Sequence, residues 1–430
     1  MLLLPVSSHS AQSPDGRMSH PPACPRAEMA ERLPAAIQPF LTWLTARPAP
    51  GEEARPRSAR SYVAGALAWT LLGCALTVLP FAAGMGALAT ALLVPLGLLA
   101  TSCGLGIFQV VIFHHCSHGT VFATREMNRR VGRMVSAFLL FKRFDDYQHE
   151  HMLHHSAKKL LTEEDEFADF VLGLCRLEAG MSKAALWRRV ILNCISPAFH
   201  LRFLKRRIEV ALFTGDRGHD WMGRAFWGTT IAAALLTGTF WLFALAWIFP
   251  VAILLQVATI FRILVEHRFP EPAWLANRDK AFMCHASIGV FPGSRPPALR
   301  ADSLPGLAAW GLWWADMLTA QLFARLFVLV GDAPCHDFHH RRPATRKWTS
   351  YIHAREADLE AGSPGFPHAY LESWGLMNAV DGSLASLAAT TPEALGRGTP
   401  AVPGHVAPEA SVHVMSKASV HVTPAVPAHG

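Results

Sequence analysis

The chain has 430 residues, 51% of them hydrophobic and only 17% charged, with a net charge of +7. A soluble domain carries about 25% charged residues, so an ordinary solvated fold is excluded. The eight cysteines form no CxxC pair and no tight spacing, which excludes a disulfide framework and a zinc ribbon.

In chain order, residues 1–60 are rich in Pro, Ala and Arg and read as a mostly disordered tail. The opening "MLLLP" is too short an apolar run for a secretory signal. Met29 begins "MAERLPAAIQPFLTWL", an alternative start followed by one amphipathic helix.

Ser61 to Thr124 contains no Lys, Arg, Asp or Glu, and neither does Ala225 to Phe261. A helix crosses a bilayer with about 20 apolar residues. The first stretch predicts two crossings, roughly 62–83 and 88–112, joined at "FAAGMGA". The second predicts a tight hairpin, roughly 226–246 and 247–266, turning near Pro250.

The basic residues crowd the segment before the first crossing and the stretch from His114 to Arg224, while the short connectors carry none. That bias puts both termini and the central loop on the cytoplasmic side. The net charge admits nucleic acid or membrane lipid as partner. The apolar stretches favour lipid, and the basic run "RFLKRR" at 202–207 suits anionic headgroups or an acidic carrier protein.

Three short histidine clusters follow one plan. "FHHCSHGT" holds His114, His115 and His118, "HMLHH" holds His151, His154 and His155, and "CHDFHHRRP" holds His336, His339 and His340. Helical positions i, i+3 and i+4 share one face, so HxxHH aims three imidazoles at one point. Clustered rings repel when protonated and waste lone pairs when buried, unless a cation binds them. Neutral imidazole suits zinc, copper and iron. Two crossings separate the second cluster from the third, so all three reach the same membrane face.

His267, at the inner end of the fourth predicted crossing, can add a nitrogen to this site. His149 is out of phase with its cluster and reads as surface. His200, His219, His285, His353 and His368 lack partners at ligand spacing and read as ordinary residues. So many imidazoles exceed one four-coordinate zinc and suit two metals. The zinc-protease signature HExxH is absent, because Leu153 stands where His149-Glu150 would need a second histidine.

HxxxH at 114–118, with HxxHH at 151–155 and 336–340 around paired membrane hairpins, resembles the integral-membrane fatty acid desaturase superfamily over roughly residues 61–385. The resemblance implies an all-α membrane protein with four transmembrane helices in two hairpins, under a cytoplasmic helical cap built from residues 156–224 and 270–335. It implies two non-haem iron ions that use O2 to oxidise an acyl lipid or acyl thioester, most often by desaturation. Hydroxylation, acetylenation and ketolation belong to the same superfamily. Carried over position by position, His114, His118, His151, His154, His155, His267, His336, His339 and His340 would hold the irons.

The family often has Asp directly after the first histidine, where this chain has His115. His115, Asp165 and Asp337 are therefore candidates to orient the ligands, since metal-bound imidazole usually donates its other N–H to an acceptor. No HPGG-like haem motif occurs, so electrons would come from a separate ferredoxin or reductase. The Ala, Arg and Pro content points to a bacterial inner membrane.

"WGLWW" at 310–314 predicts an interfacial helix, and Asp316 and Arg325 argue against a fifth crossing there. Residues 386–430, with "ASVHV" twice, read as a second disordered tail. A zinc-dependent membrane hydrolase or transporter, and an inactive scaffold, remain open alternatives, which metal analysis separates.

Overall fold

The computed structural model describes residues 24–55 and 57–395. Three of its helices are long and apolar enough to cross a membrane by length and composition: α3 (Ala59–Ala82), α4 (Ala87–Ser117) and the later Phe240–Glu266.

α3 and α4 form a hairpin packed backbone to backbone. Lipid tails are as apolar as leucine, so small residues and close approach carry such packing. A Cβ on Gly73 would stand 2.6 Å from the Gly97 carbonyl oxygen, and one on Gly104 would stand 2.6 Å from the Thr70 amide nitrogen. The Thr70 and Thr77 hydroxyls donate to the carbonyls of Ala66 and Gly73 in their own helix, at 2.8 and 2.9 Å. Gly104→Val therefore forces the helices apart. We expect a loss of about 1–3 kcal/mol, read as a lower thermal midpoint in detergent. The outward leucines, Leu71, Leu88 and Leu92 among them, stay exposed, as hydrocarbon contact requires.

α4 widens into a π-helical turn at Ile107–Phe113 before delivering His114. π-turns recur at functional sites because they re-aim the residues that follow. α5 (Arg125–Leu139) and α6 (Phe144–His154) then fold beneath the hairpin. α7 (Lys183–Ile195) and α8 (Pro197–Leu212) lead to α9 (Arg217–Leu236) and α10 (Phe240–Glu266).

Two predicted boundaries move here. The hairpin turns at residues 237–239, where Gly238 takes φ +67°, and not near Pro250. Pro250 lies inside α10, between π-helical turns at Ala244–Ile248 and Pro250–Leu254 that absorb its missing N–H. α9 starts with charge (Arg217, Asp220, Arg224) and is apolar only from Ala225 on, so it falls short of the length and composition of a crossing.

The segment expected to be mostly disordered holds α1 (Pro25–Arg32) and α2 (Gln38–Thr45), which pack through Met29, Leu41 and Leu44 against Trp313 and Met317. The cause is a buried cation: Arg26 donates to the Arg47 carbonyl at 3.1 Å and the Thr42 hydroxyl at 2.8 Å, knitting the segment together. A tail composition conceals such an anchor. α11, residues 304–327, lies across these helices. Trp313 is buried, its indole N–H donating to the Ser294 carbonyl at 3.2 Å, while Leu304, Leu307 and Leu312 stay exposed.

α12 (His336–Arg341), α13 (Tyr351–Glu360) and α14 (Leu376–Ala389) complete the fold, with β1 (Gly289–Phe291) pairing parallel to β2 (Glu372–Trp374). α14 overruns the expected boundary at 385. Residues 1–23 and 396–430, including both ASVHV segments, lie outside the described residues.

Candidate metal centre

The histidines arrive from four places. α4 carries His114 in its last turn, with His118 just past its end. α6 ends on His151 and His154 with His155 just beyond. His267 leaves α10 in an extended conformation, φ −133°, and α12 carries His336, His339 and His340.

They divide into two sets. His114, His118, His151 and His339 offer donor atoms all within 4.8 Å of one another, and so do His154, His267, His336 and His340. Each HxxHH cluster is thus split, with His151 and His339 in the first set and His154, His336 and His340 in the second. His155 lies between the sets, its Nε2 3.1 Å from that of His151 and its ring 4.4 and 4.5 Å from those of His339 and His340.

The nitrogens meet Nε2 to Nε2. His114 and His339 approach to 2.8 Å, His118 and His151 to 3.0 Å, His154 and His267 to 3.0 Å, His336 and His267 to 3.1 Å, and His340 and His336 to 3.0 Å. Two imidazole nitrogens side by side on one first-row metal at about 2.1 Å sit roughly 3 Å apart. Buried lone pairs facing one another at such spacing fit a cation between them. Burial, reinforced by neighbouring rings, holds His151, His155, His336, His339 and His340 well below the ordinary imidazole value. They are neutral at physiological pH, the form that binds metal.

The outward nitrogens are held too. His154 Nδ1 meets the Asp165 carboxylate at 2.7 Å, and Asp165 also accepts from the Leu161 and Phe167 amides at 2.7 and 3.2 Å. Burial disfavours a charged His154, but Asp165 outweighs it and lifts that histidine above its ordinary value. His339 Nδ1 lies 2.6 Å from the Tyr351 hydroxyl, and His267 Nδ1 lies 3.2 Å from the Ala286 carbonyl. His155 Nδ1 and His340 Nδ1 are buried without a partner. Asp165→Asn keeps the shape and removes the charge. Losing an outer partner of a metal-bound histidine costs about 10–100-fold in metal affinity, and competition with a chelator should show a loss of that size.

Other residues fall differently. His115 turns away: its Nε2 lies 2.6 Å from Asp332 and its ring stacks on Trp348 at 4.9 Å. Asp337 touches no histidine. Arg355 grips it with Nε at 3.0 Å and Nη2 at 2.7 Å, while Nη1 of Arg355 donates to Glu372 at 2.9 Å. Asp337 is thus a clamp on α12 rather than the expected imidazole acceptor, because a fully buried guanidinium reaches it first. A Cβ on Gly289 would fall 2.7 Å from Asp337 Oδ2 and 3.0 Å from Arg355 Nη2, so glycine there makes room for the clamp. Arg47 closes the chain of charges with ion pairs to Glu372 and Glu356.

His149 is exposed, as its phase predicts. His200 is structural, its ring nitrogens engaged by Gln256 and the Cys194 carbonyl at 2.8 and 2.9 Å. Tyr147, Tyr351, Asp332 and Arg355 were not foreseen. Tyr147 carried a signal, since it stands four residues before His151 and stacks on it at 5.1 Å. The others lie far away in sequence.

A cavity of about 210 Å³ ends on His114, His151, His154 and His336. Val110, Phe113, Phe141, Leu174, Val210 and Ile263 give it apolar walls, and three basic residues (Lys142, Arg206, Arg262) and three acids (Glu166, Asp169, Glu266) also line it. Within the basic run, Arg206 pairs with Asp169, whereas Arg207 is buried with its guanidinium on the carbonyls of Leu139, Leu140 and Val251. That residue pins α8 to its neighbours and is not free for headgroups.

Residues 89–287 match the family model for fatty acid desaturase. That match places residues 89–287 in the membrane fatty acid desaturase superfamily. The match covers the first two histidine clusters and His267 and stops before α12, whose three histidines the fold returns to the same place. Curated proteins yield no match. The match implies oxidoreductase activity and suggests desaturase- or hydroxylase-type oxidation of acyl chains in a membrane setting, in a family that is typically di-iron.

Proposed function

We propose that this protein is an O2-dependent acyl desaturase. One iron would be held by His114, His118, His151 and His339, the other by His154, His267, His336 and His340, with His155 between them. The observation that carries the reading is that histidines of both four-membered sets line one cavity with apolar walls.

Bound iron supplies the oxidising power to take hydrogen from an unactivated methylene. The balance is simple: the acyl chain loses two hydrogens, a ferredoxin or reductase adds two electrons, two protons enter, and O2 leaves as two waters. The protein's part is placement. Val110, Phe113 and Phe141 exclude water and hold a methylene chain beside the histidines, which protects the reaction from side paths. Tyr351, Asp165 and the Ala286 carbonyl fix ring orientation.

In this reading α9 pairs with α10 as the fourth crossing, and the site and both termini face the cytoplasm, as the basic bias directs. The setting is a bacterial inner membrane.

The experiment is reconstitution in lipid with O2, a ferredoxin–reductase pair and a defined acyl substrate, followed by mass spectrometry. Loss of two hydrogens supports desaturation. Gain of an oxygen atom instead makes the chain a hydroxylase on the same site. Absence of any oxidised acyl product from an iron-loaded sample overturns the proposal.

A further inference from the structure

A second cavity, of about 450 Å³, shares no lining residue with the cavity at the metal centre. Trp69 on α3, Cys103 and Ile107 on α4, and Leu326 line its apolar part. Trp69 is partly exposed on the face that hydrocarbon would cover. Arg57, Ser61, Tyr62 and Arg325 line its polar part, and no Asp or Glu lines it.

Arg325 is the notable group. It is 8% exposed. Its Nε donates to the Trp43 carbonyl at 2.9 Å and its Nη1 to the Leu329 carbonyl. No carboxylate among the described residues forms an ion pair with it. Buried guanidinium is normally matched by an anion, because burial of an unmatched charge is costly. Two acids, Asp332 and Glu52, line an adjoining cavity, where Asp332 is engaged by His115 and Glu52 accepts from the Thr42 hydroxyl. That adjoining cavity, about 470 Å³, shares Trp43, Arg57, Tyr62, Arg325 and Gly331 with the first, so there is room beyond the guanidiniums for a headgroup.

We propose that this cavity binds an anionic amphiphile separate from the acyl chain being oxidised. The alkyl chain lies along Trp69, Ile107 and Leu326, and its oxyanion sits between Arg325 and Arg57. The anion is a fatty acid carboxylate or a lipid phosphate, and both present oxygens to the guanidinium fork. Ile107 opens the π-helical turn that leads into His114, so the ligand would contact the helix that carries part of the metal centre.

The test uses full-length protein in detergent with photoactivatable probes of equal chain length: a fatty acid, a lysophosphatidylglycerol and an uncharged monoacylglycerol. Labelled peptides are mapped by mass spectrometry. Labelling of peptides containing Trp69 or Leu326 by either anionic probe is expected, and the two probes distinguish carboxylate from phosphate. Arg325→Gln should weaken that labelling about tenfold or more, the loss of a charge-assisted hydrogen bond. Gly65→Leu is the second variant. A Cβ on Gly65 meets nothing within 4 Å, so the leucine fits the helix, fills the cavity and leaves Arg325 untouched. It should abolish this labelling while labelling at the catalytic cavity persists. Equal labelling by the uncharged probe, or unchanged labelling in Gly65→Leu, overturns the proposal.

Discussion

His154→Ala will abolish acyl oxidation and remove roughly half of the bound iron or more, while the protein still inserts into membranes. His154 is the hinge of the second set: its Nε2 faces His267 at 3.0 Å and its Nδ1 meets Asp165 at 2.7 Å. The alanine deletes one donor and leaves the buried Asp165 with only the Leu161 and Phe167 amides. Removing the partner of a buried carboxylate costs about 3–5 kcal/mol. Insertion depends on the apolar helices α3, α4 and α10, which the change does not touch. Iron content by elemental analysis, turnover, and membrane fractionation read the three parts separately. Retained turnover would refute the role of this histidine.

Arg355→Met will destabilise the fold around α12 and α13 by about 3–5 kcal/mol, a large share of the roughly 5–15 kcal/mol that holds a domain folded. Asp337 is 0% exposed and Arg355 is 1% exposed, so the variant leaves a carboxylate with no solvent and no counter-charge, held only by the Phe338 amide at 2.7 Å. Asp337 sits between His336 and His339, which belong to different sets, so a loosened α12 disturbs both. Arg355→Lys should rescue little. A single ammonium cannot replace a fork that donates to Asp337 through Nε and Nη2 and to Glu372 through Nη1. Removing both charges in Arg355→Met/Asp337→Leu should recover part of the thermal midpoint, because an apolar pair leaves nothing unsatisfied. An unchanged midpoint and iron content in the single variant would show that the clamp does not hold α12.

The convergence of the histidines was legible because it rests on local spacing. HxxHH puts three rings on one helical face, and the even number of crossings expected between the second and third clusters directs the chain back to the first two. The splitting of each HxxHH between two sets was not legible. It depends on how α6 and α12 cross, which no local pattern records. The hairpin turn was misplaced because Pro250 outranks Gly238 as a breaker in water, whereas an apolar helix keeps its proline by widening locally. α1 and α2 were hidden by a composition typical of tails, since their order depends on Arg26 finding Thr42 and the Arg47 carbonyl. Asp165 lay eleven residues past His154 and was found. Asp337 directly follows His336 in sequence, yet points to Arg355.

The most direct measurement is the metal content of the purified, iron-grown protein, with its Mössbauer spectrum. We expect about two irons per chain, magnetically coupled and lost together on chelation. One zinc per chain, or no tightly held metal in a folded sample, would contradict the account.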